Sequence, residues 1–503
     1  MKNIRIILCW LAISGIAACT STGNREADIN ALSTPEREGI SSGAILGFVE
    51  AVEKEQPEVM HSFILRRHGR ILAQGWWDPY RPEYPHMLYS LSKSFTSTAI
   101  GIAQDEGLLS INDPVISFFP GKVPAEPSTN LQAMRIRDLL RMNTGHQQDA
   151  TGRMTSGGPS WVETFLALEV EHKPGTHFVY NSAATYMLSA IIQEVSGMTL
   201  LEYLTPRLFE PLGIENPTWE ESPEGINLGG WGLSITTEDI SRFGQMLLQK
   251  GEWEGKQIVS EAWVKEATSL QTCNGSNPDS DWEQGYGYQF WMCRNGIFRG
   301  DGAFGQYCIV MPEQDAVLAI TSGTGDMQGI LNVAWEHLLP AMQKGPLPAD
   351  EEGQSKLKKK LASLAIPPEE GEPGSNLAEQ VSGRTYVCEP NALAIKEITF
   401  GLLSDPCVIT LTTADDVQTV AAGKGTWVKG EMHTPQWKSA NMAGSCAWKS
   451  GDSFRVKVIH TETPYMIHFD FRFDGNSMFM DTKLNVSMGP DAFPQIRGKA
   501  PGI

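Results

Sequence analysis

Two pairs of strand-forming runs stand far apart in this chain, with a long helical stretch between them. Residues 61–65 and 70–76 are β-rich and are joined by His68-Gly69; residues 304–311 and 316–322 form a second pair around Pro312-Glu313-Gln314-Asp315. Between the pairs, 111–247 reads as mostly helical with long loops. Its segment 134–142 closes at Asn143-Thr144-Gly145, 183–195 stops at Ser196-Gly197, and 237–250 opens on Thr-Glu-Asp and stops at Gly251. Helical stripes at 39–55 and 331–342 flank the two hairpins. One sheet is therefore built from both ends of the region, with an all-α block inserted between its halves. The expected fold class is α/β, an antiparallel sheet flanked by helices. A cleft falls where the two parts meet, a favoured place for an active site.

The chain has 503 residues, enough for more than one domain. The stretch 344–376 is rich in Pro, Gly, Glu and Lys and reads as a linker. From 377 on, short β-rich runs recur at 384–388, 395–400, 408–412, 454–460, 466–473 and 477–481, with turn residues between them. That is the pattern of a separate small β-domain, barrel or sandwich. The expected organisation is a leader at 1–18, a tether at 19–38, the α/β unit at 39–345, a linker at 346–376 and a C-terminal β-rich domain at 377–503.

The leader has a short positive region, Lys2 and Arg5, then the apolar run 6–13. It ends in Ile16-Ala17-Ala18-Cys19, which resembles the lipobox of bacterial lipoproteins, in which the cysteine is lipidated. Thr20 and Ser21 are not acidic, so that resemblance implies the bacterial periplasm, with a lipid anchor in the outer rather than the inner membrane. No later run reaches eighteen apolar residues. A formal net charge of −19 argues against nucleic acid as a partner. Six cysteines follow Cys19. In an oxidising compartment Cys273 and Cys293, which flank a Gly/Asn/Asp-rich loop, are the pair best placed to join.

Chemistry concentrates at Tyr89-Ser90-Leu91-Ser92-Lys93-Ser94-Phe95, the expected start of a helix that ends near Asp105. Ser90 and Lys93 lie one turn apart on one face. A serine hydroxyl is a poor nucleophile until a neighbouring base takes its proton, and a lysine lowered by burial can do so. The same spacing recurs at Ser355-Lys356-Leu357-Lys358, inside the expected linker, where a solvated surface is the simpler reading. Tyr180-Asn181-Ser182 precedes a helix and offers a phenol for proton transfer. Arg299-Gly300-Asp301-Gly302-Ala303-Phe304 precedes a strand, and small residues there let backbone approach a ligand. An N–H from that turn and the N–H of Ser90 could hold an oxyanion.

Taken in order, Ser90-Leu91-Ser92-Lys93, Leu139-Leu140 with Asn143-Thr144-Gly145, Pro174-Gly175 with Tyr180-Asn181-Ser182, and Gly229-Gly230-Trp231-Gly232 leading to Thr237-Glu238-Asp239 resemble the serine β-lactamase-related superfamily, class C-like branch. The likeness spans roughly 40–343. It implies Ser90 as nucleophile, Lys93 as its base and Tyr180 as the second proton-transfer group. It also implies a substrate-binding surface made by Ser182, Asp301, Gly302, Ala303 and Phe304, and no metal or cofactor. Two positions depart from the family pattern. Ser182 stands where an amide side chain is usual, and Asp301 stands where a cation usually holds a substrate carboxylate. An acid there repels such an anion. The expected activity is therefore that of an exported serine hydrolase acting through an acyl-enzyme on small esters or amides. The alternatives are β-lactamase or D-alanyl-D-alanine carboxypeptidase activity, and a ligand or cell-wall sensor that does not turn over.

Overall fold

The computed structural model describes residues 31–432 and 441–501; the leader and Cys19 lie outside the described residues. The two distant hairpins meet in one antiparallel sheet. Its strands are β1 (Met60–Arg67), β2 (Arg70–Trp76), β3 (Trp291–Met292), β4 (Phe298–Gly302), β5 (Gln306–Met311) and β6 (Ala316–Ser322), in the order β2-β1-β6-β5-β4-β3. The join is β1 with β6, where Phe63 faces Ile320 and Leu65 faces Leu318. Both faces of this sheet are covered, which is why its central strands read as nearly continuous apolar runs rather than as alternation. On one face Phe63, Leu65, Leu318 and Ile320 pack with Phe48 and Val49 of α1 (Ser42–Glu55) and with Leu331 of a later helix. On the other, Cys308, Val310 and Ala319 join the core of the helical block.

That block is centred on α2 (Ser92–Asp105), buried from Ser92 to Ala103. Its small residues admit close neighbours, and their hydroxyls bond backbone carbonyls. Ser94 donates to Gln289 at 2.9 Å and Thr96 to Gly229 at 2.9 Å, so burial leaves those groups satisfied. Beside it run α3 (Ser182–Ser196) and α4 (Thr237–Leu248). The N-terminus of α4 is capped by Thr236. Its hydroxyl accepts from Asp239 N, and the Asp239 carboxylate accepts from Thr236 N in return. The block is not wholly helical. His86–Met87, Leu233–Ile235 and Thr218–Trp219 form a small sheet at its edge.

After α5 (Met327–His337) the expected linker turns out to hold a helix, α6 (Glu351–Leu361), capped by Asp350. The reading of 346–376 as a linker does not include a helix. Glu and Lys are good helix formers, and the stripe Leu357, Leu364 and Ile366 is buried against the sheet-side core. Ser355 and Lys358 are exposed on α6, as a solvated copy of the Ser-x-x-Lys spacing should be.

Among the described residues the C-terminal region is a barrel of ten strands, from Thr385–Cys388 to Ala492–Lys499. Its seam closes through parallel pairing of Gly423 with Ser445 and Lys424 with Cys446. Tyr386, Phe400, Phe471, Phe473 and Met478 fill the inside. The expected Cys273–Cys293 bond is absent. Both thiols are free, Cys273 exposed and Cys293 buried, where Arg299 Nη1 donates to its sulfur at 3.0 Å.

Candidate active site

Ser90 lies in a 3-10 turn, Tyr89–Leu91, that feeds α2 at Ser92. The helix thus begins two residues later than expected, and Ser90 and Lys93 still sit one turn apart. Lys93 is 1% exposed. Its Nζ lies 3.0 Å from Ser90 Oγ, 2.9 Å from Ser182 Oγ and 2.7 Å from the carbonyl of Gly230. Burial lowers its pKa to about 7, opposed by the charges of Asp149 and Asp301. The amine is therefore available as a base near neutrality.

Tyr180 arrives on the loop before α3, with its phenol close enough to Ser90 to interact with it. Lys93 Nζ is 4.9 Å from the ring centre. Trp291 stacks on the phenol ring at 5.2 Å, and Tyr286 meets it edge-on at 6.2 Å. Burial, reinforced by Asp301, pushes its pKa far above the usual range. Tyr180 is thus a neutral phenol, a proton donor rather than a phenolate. A lysine able to accept a proton and a phenol able to give one thus stand side by side, an arrangement suited to proton exchange.

Asn181 and Ser182 split scaffold from site. Asn181 is fully buried and caps α3, accepting from Ala183 N at 3.1 Å and from Ala150 N at 3.2 Å. Ser182, expected on the substrate surface, instead places its hydroxyl on Lys93. As the first residue of α3 it also brings the positive end of that helix toward the lysine, which disfavours the ammonium form.

Strand β4 runs against the Tyr89–Leu91 turn because its glycines allow it. A Cβ on Gly302 would lie 2.0 Å from Leu88 O, and one on Gly300 would lie 2.5 Å from Ser94 Oγ. The β4–β5 turn, with Ala303 and Phe304, is so brought beside the backbone of Leu88 to Ser90. Asp301 points to the other side of the strand. Its carboxylate accepts from Arg299 Nε at 2.9 Å, and both residues are buried. Arg299 also donates to Asp281 O at 2.7 Å and lies 4.4 Å from the Trp282 ring. The pair is closed upon itself, so Asp301 neither meets a substrate anion bare nor frees Arg299 to bind one.

Sequence reasoning missed Gly230, Trp291, Tyr286 and Asp149. Gly230 stood in a quoted motif without a role, since a carbonyl acceptor has no side-chain signature. Trp291 and Tyr286 could have been suspected from the aromatic density of 286–291. Asp149 had no local signal.

The profile of the beta-lactamase family matches residues 49–337, more than half of the chain and all of the groups just described. The chain belongs to the beta-lactamase family. Among its relatives is the 6-aminohexanoate-dimer hydrolase of Paenarthrobacter ureafaciens, 28% identical over 287 residues, covering 53% of this chain and 73% of the relative. Protein flp of Staphylococcus aureus (strain MW2) is 27% identical over 146 residues, covering 28% of this chain and 29% of flp. A solved Bacillus anthracis structure, provisionally described as a 6-aminohexanoate-dimer hydrolase, shares the fold with a TM-score of 0.50 and 19% identity. That match covers 64% of this chain and 88% of the other.

Proposed function

We propose that this member of a serine hydrolase family acts through an acyl-enzyme at Ser90 on small amides or esters, with a preference for substrates carrying an amino group. The observation that carries this reading is the buried Lys93, with a pKa of about 7 and 3.0 Å from Ser90 Oγ. The neutral amine takes the Ser90 proton as Oγ attacks the carbonyl carbon. The N–H groups of Ser90 and of Ala303 or Phe304 receive the oxyanion. Tyr180 passes a proton to the leaving nitrogen or oxygen and regains one from the lysine. Water then attacks the acyl-serine, releasing the acid and restoring the hydroxyl.

Two observations support the amino-group preference. Arg299 is engaged by Asp301, and the exposed Asp149 sets a negative charge close enough to act on Lys93 and Tyr180. A relative named for 6-aminohexanoate dimer is consistent with such a substrate. The test is a panel of p-nitrophenyl esters, amino-acid amides, 6-aminohexanoate dimer and nitrocefin, each with Ser90→Ala alongside. Ester or amide turnover that falls at least about a thousandfold in Ser90→Ala supports the proposal. Nitrocefin as the fastest substrate would overturn the substrate class, and no turnover above Ser90→Ala for any compound would favour a binding protein. We further propose export and lipid anchoring at Cys19. Cys19→Ser should abolish labelling by a fatty-acid probe and release the protein from the membrane fraction.

A further inference from the structure

The chemistry above uses nothing from the C-terminal barrel, yet the barrel turn at 461–465 is fastened to the chain around the nucleophile. Met87 N donates to Glu462 O at 2.8 Å, and Tyr80 donates to Thr463 O at 3.4 Å. Gly323, at the end of β6, makes room for this approach, since a Cβ there would meet Pro464 O at 2.5 Å. Asn485 pins the same spot, donating to Gly323 O at 3.1 Å and to Pro464 O at 2.9 Å. At the centre stands Tyr465, 6% exposed. Its hydroxyl bonds the hydroxyl of Tyr89, and its ring meets Phe304 edge-on at 6.0 Å. Phe304 in turn meets Tyr89 edge-on at 5.5 Å.

Tyr89 and Phe304 are not arbitrary neighbours. Tyr89 immediately precedes Ser90, and Phe304 follows Ala303. Both hold left-handed backbone, with φ of 49° and 66°, a conformation that side chains of this size adopt only when the surroundings impose it. For Phe304 part of the hold is visible within the hydrolase unit. Its carbonyl accepts from Ser322 Oγ at 2.8 Å and from Thr324 N at 3.1 Å. For Tyr89 the side-chain anchor is Tyr465. One barrel residue therefore contacts a side chain on each of the two segments whose N–H groups would receive the oxyanion.

We propose that Tyr465 is a positioning residue for the oxyanion-binding backbone, so that the barrel completes the active site. The inference rests on Ser90 being the nucleophile. By this account the hydroxyl of Tyr465 sets the orientation of Tyr89, and with it the N–H of Ser90, while its ring keeps Phe304 in place. A misplaced oxyanion donor weakens binding of the tetrahedral state more than binding of the substrate.

The test uses the full chain with Tyr465→Phe and Tyr465→Ala, assayed on the best substrate of the panel and titrated with a boronic acid that mimics the tetrahedral state. Active sites are counted with a fluorophosphonate, and Ser90→Ala is run in parallel. Tyr465→Phe keeps the ring and loses only the hydroxyl. It should lower kcat per active site by about tenfold, leave KM within about twofold, and weaken the boronate by the same factor as kcat/KM. Tyr465→Ala should lose about a hundredfold. Tyr89→Phe added to Tyr465→Phe should cost nothing more, because the shared bond is already gone. If Tyr465→Phe keeps full kcat and boronate affinity while Ser90→Ala is inactive, this inference fails and the proposed function stands. A Ser90→Ala protein as active as wild type would instead remove the proposed function itself.

Discussion

At the scale of single residues, the proposed chemistry rests on contrast between two buried groups, Lys93 and Tyr180. Lys93 has its pKa lowered from 10.5 to about 7, so it is protonated below that pH and a free base above it. The rate kcat/KM should therefore rise about tenfold per pH unit below about 7 and level off above it. Asp149 opposes the lowering. Asp149→Asn should move the rising limb to lower pH in the same pH–rate profile, and should weaken any preference for amino-bearing substrates. An unmoved limb would mean that Asp149 does not act on the lysine. The buried pair Arg299–Asp301 makes a different demand. Arg299→Met leaves a carboxylate without its partner in a dry setting, and chemical denaturation should show a loss of about 3–5 kcal/mol. That Ser90, Lys93 and Tyr180 come together was legible in the sequence, because the proposed chemistry needs those side chains at those spacings. The partnership of Arg299 with Asp301 was not, since direction across a strand decides whether an acid faces substrate or a neighbour. The bond from Lys93 to Ser182 was not legible for the same reason.

At the scale of elements, close approach of β4 to the Tyr89–Leu91 turn depends on two missing side chains. Gly302→Ala puts a methyl 2.0 Å from Leu88 O, and backbone cannot yield as a flexible side chain can. The strand must shift, taking the Ala303–Phe304 turn with it. Phosphonylation by a fluorophosphonate, in which the serine oxygen displaces fluoride from phosphorus, should slow by about a hundredfold, whereas unchanged labelling would show that the turn has no part in oxyanion binding. The elements that were legible had strong period or punctuation. β2, at Arg70–Trp76, matches its expected run, and α3 begins one residue before its own. The barrel strands Val417–Lys424, Asn441–Trp448 and Ala492–Lys499 were not seen. They are rich in Ala, Gly, Lys or Pro, residues with low strand preference, and closure of the barrel rather than local propensity holds them. α6 was missed because Pro and Gly at the ends of 344–376 masked one apolar stripe.

At the scale of the whole molecule, the hydrolase unit and barrel meet across a set of neutral histidines. His61 Nδ1 lies 3.0 Å from His86 Nε2, and His61 stacks on Tyr80 at 3.9 Å. Tyr80 reaches the barrel turn at Thr463, and the backbone of Met87, next to His86, bonds Glu462 in the same turn. Burial lowers His86 to about 4. Burial, and after it the charge His86 would carry, holds His61 well below its usual value. His460, on the barrel strand that leads into this turn, is also lowered to about 4 by burial. In the unfolded chain these rings titrate near 6.5. As pH falls below that value the unfolded state takes up protons first, so stability is full above about 6.5 and is lost as pH drops toward 4. Each such ring contributes a slope of up to about 1.4 kcal/mol per pH unit. The loss should appear first at the junction, because charging either ring sets a cation against its neighbour beside the turn that carries Tyr465. Urea unfolding at a series of pH values checks this. His61→Phe keeps an aromatic ring against Tyr80 and removes one titrating group, so it should flatten the dependence between about pH 6.5 and 4.5 even where it costs stability at neutral pH. A slope equal to that of wild type would mean that acid sensitivity arises elsewhere. Activity at about pH 5 should then fall further than protonation of Lys93 alone requires, since loosening the turn would also release Tyr89.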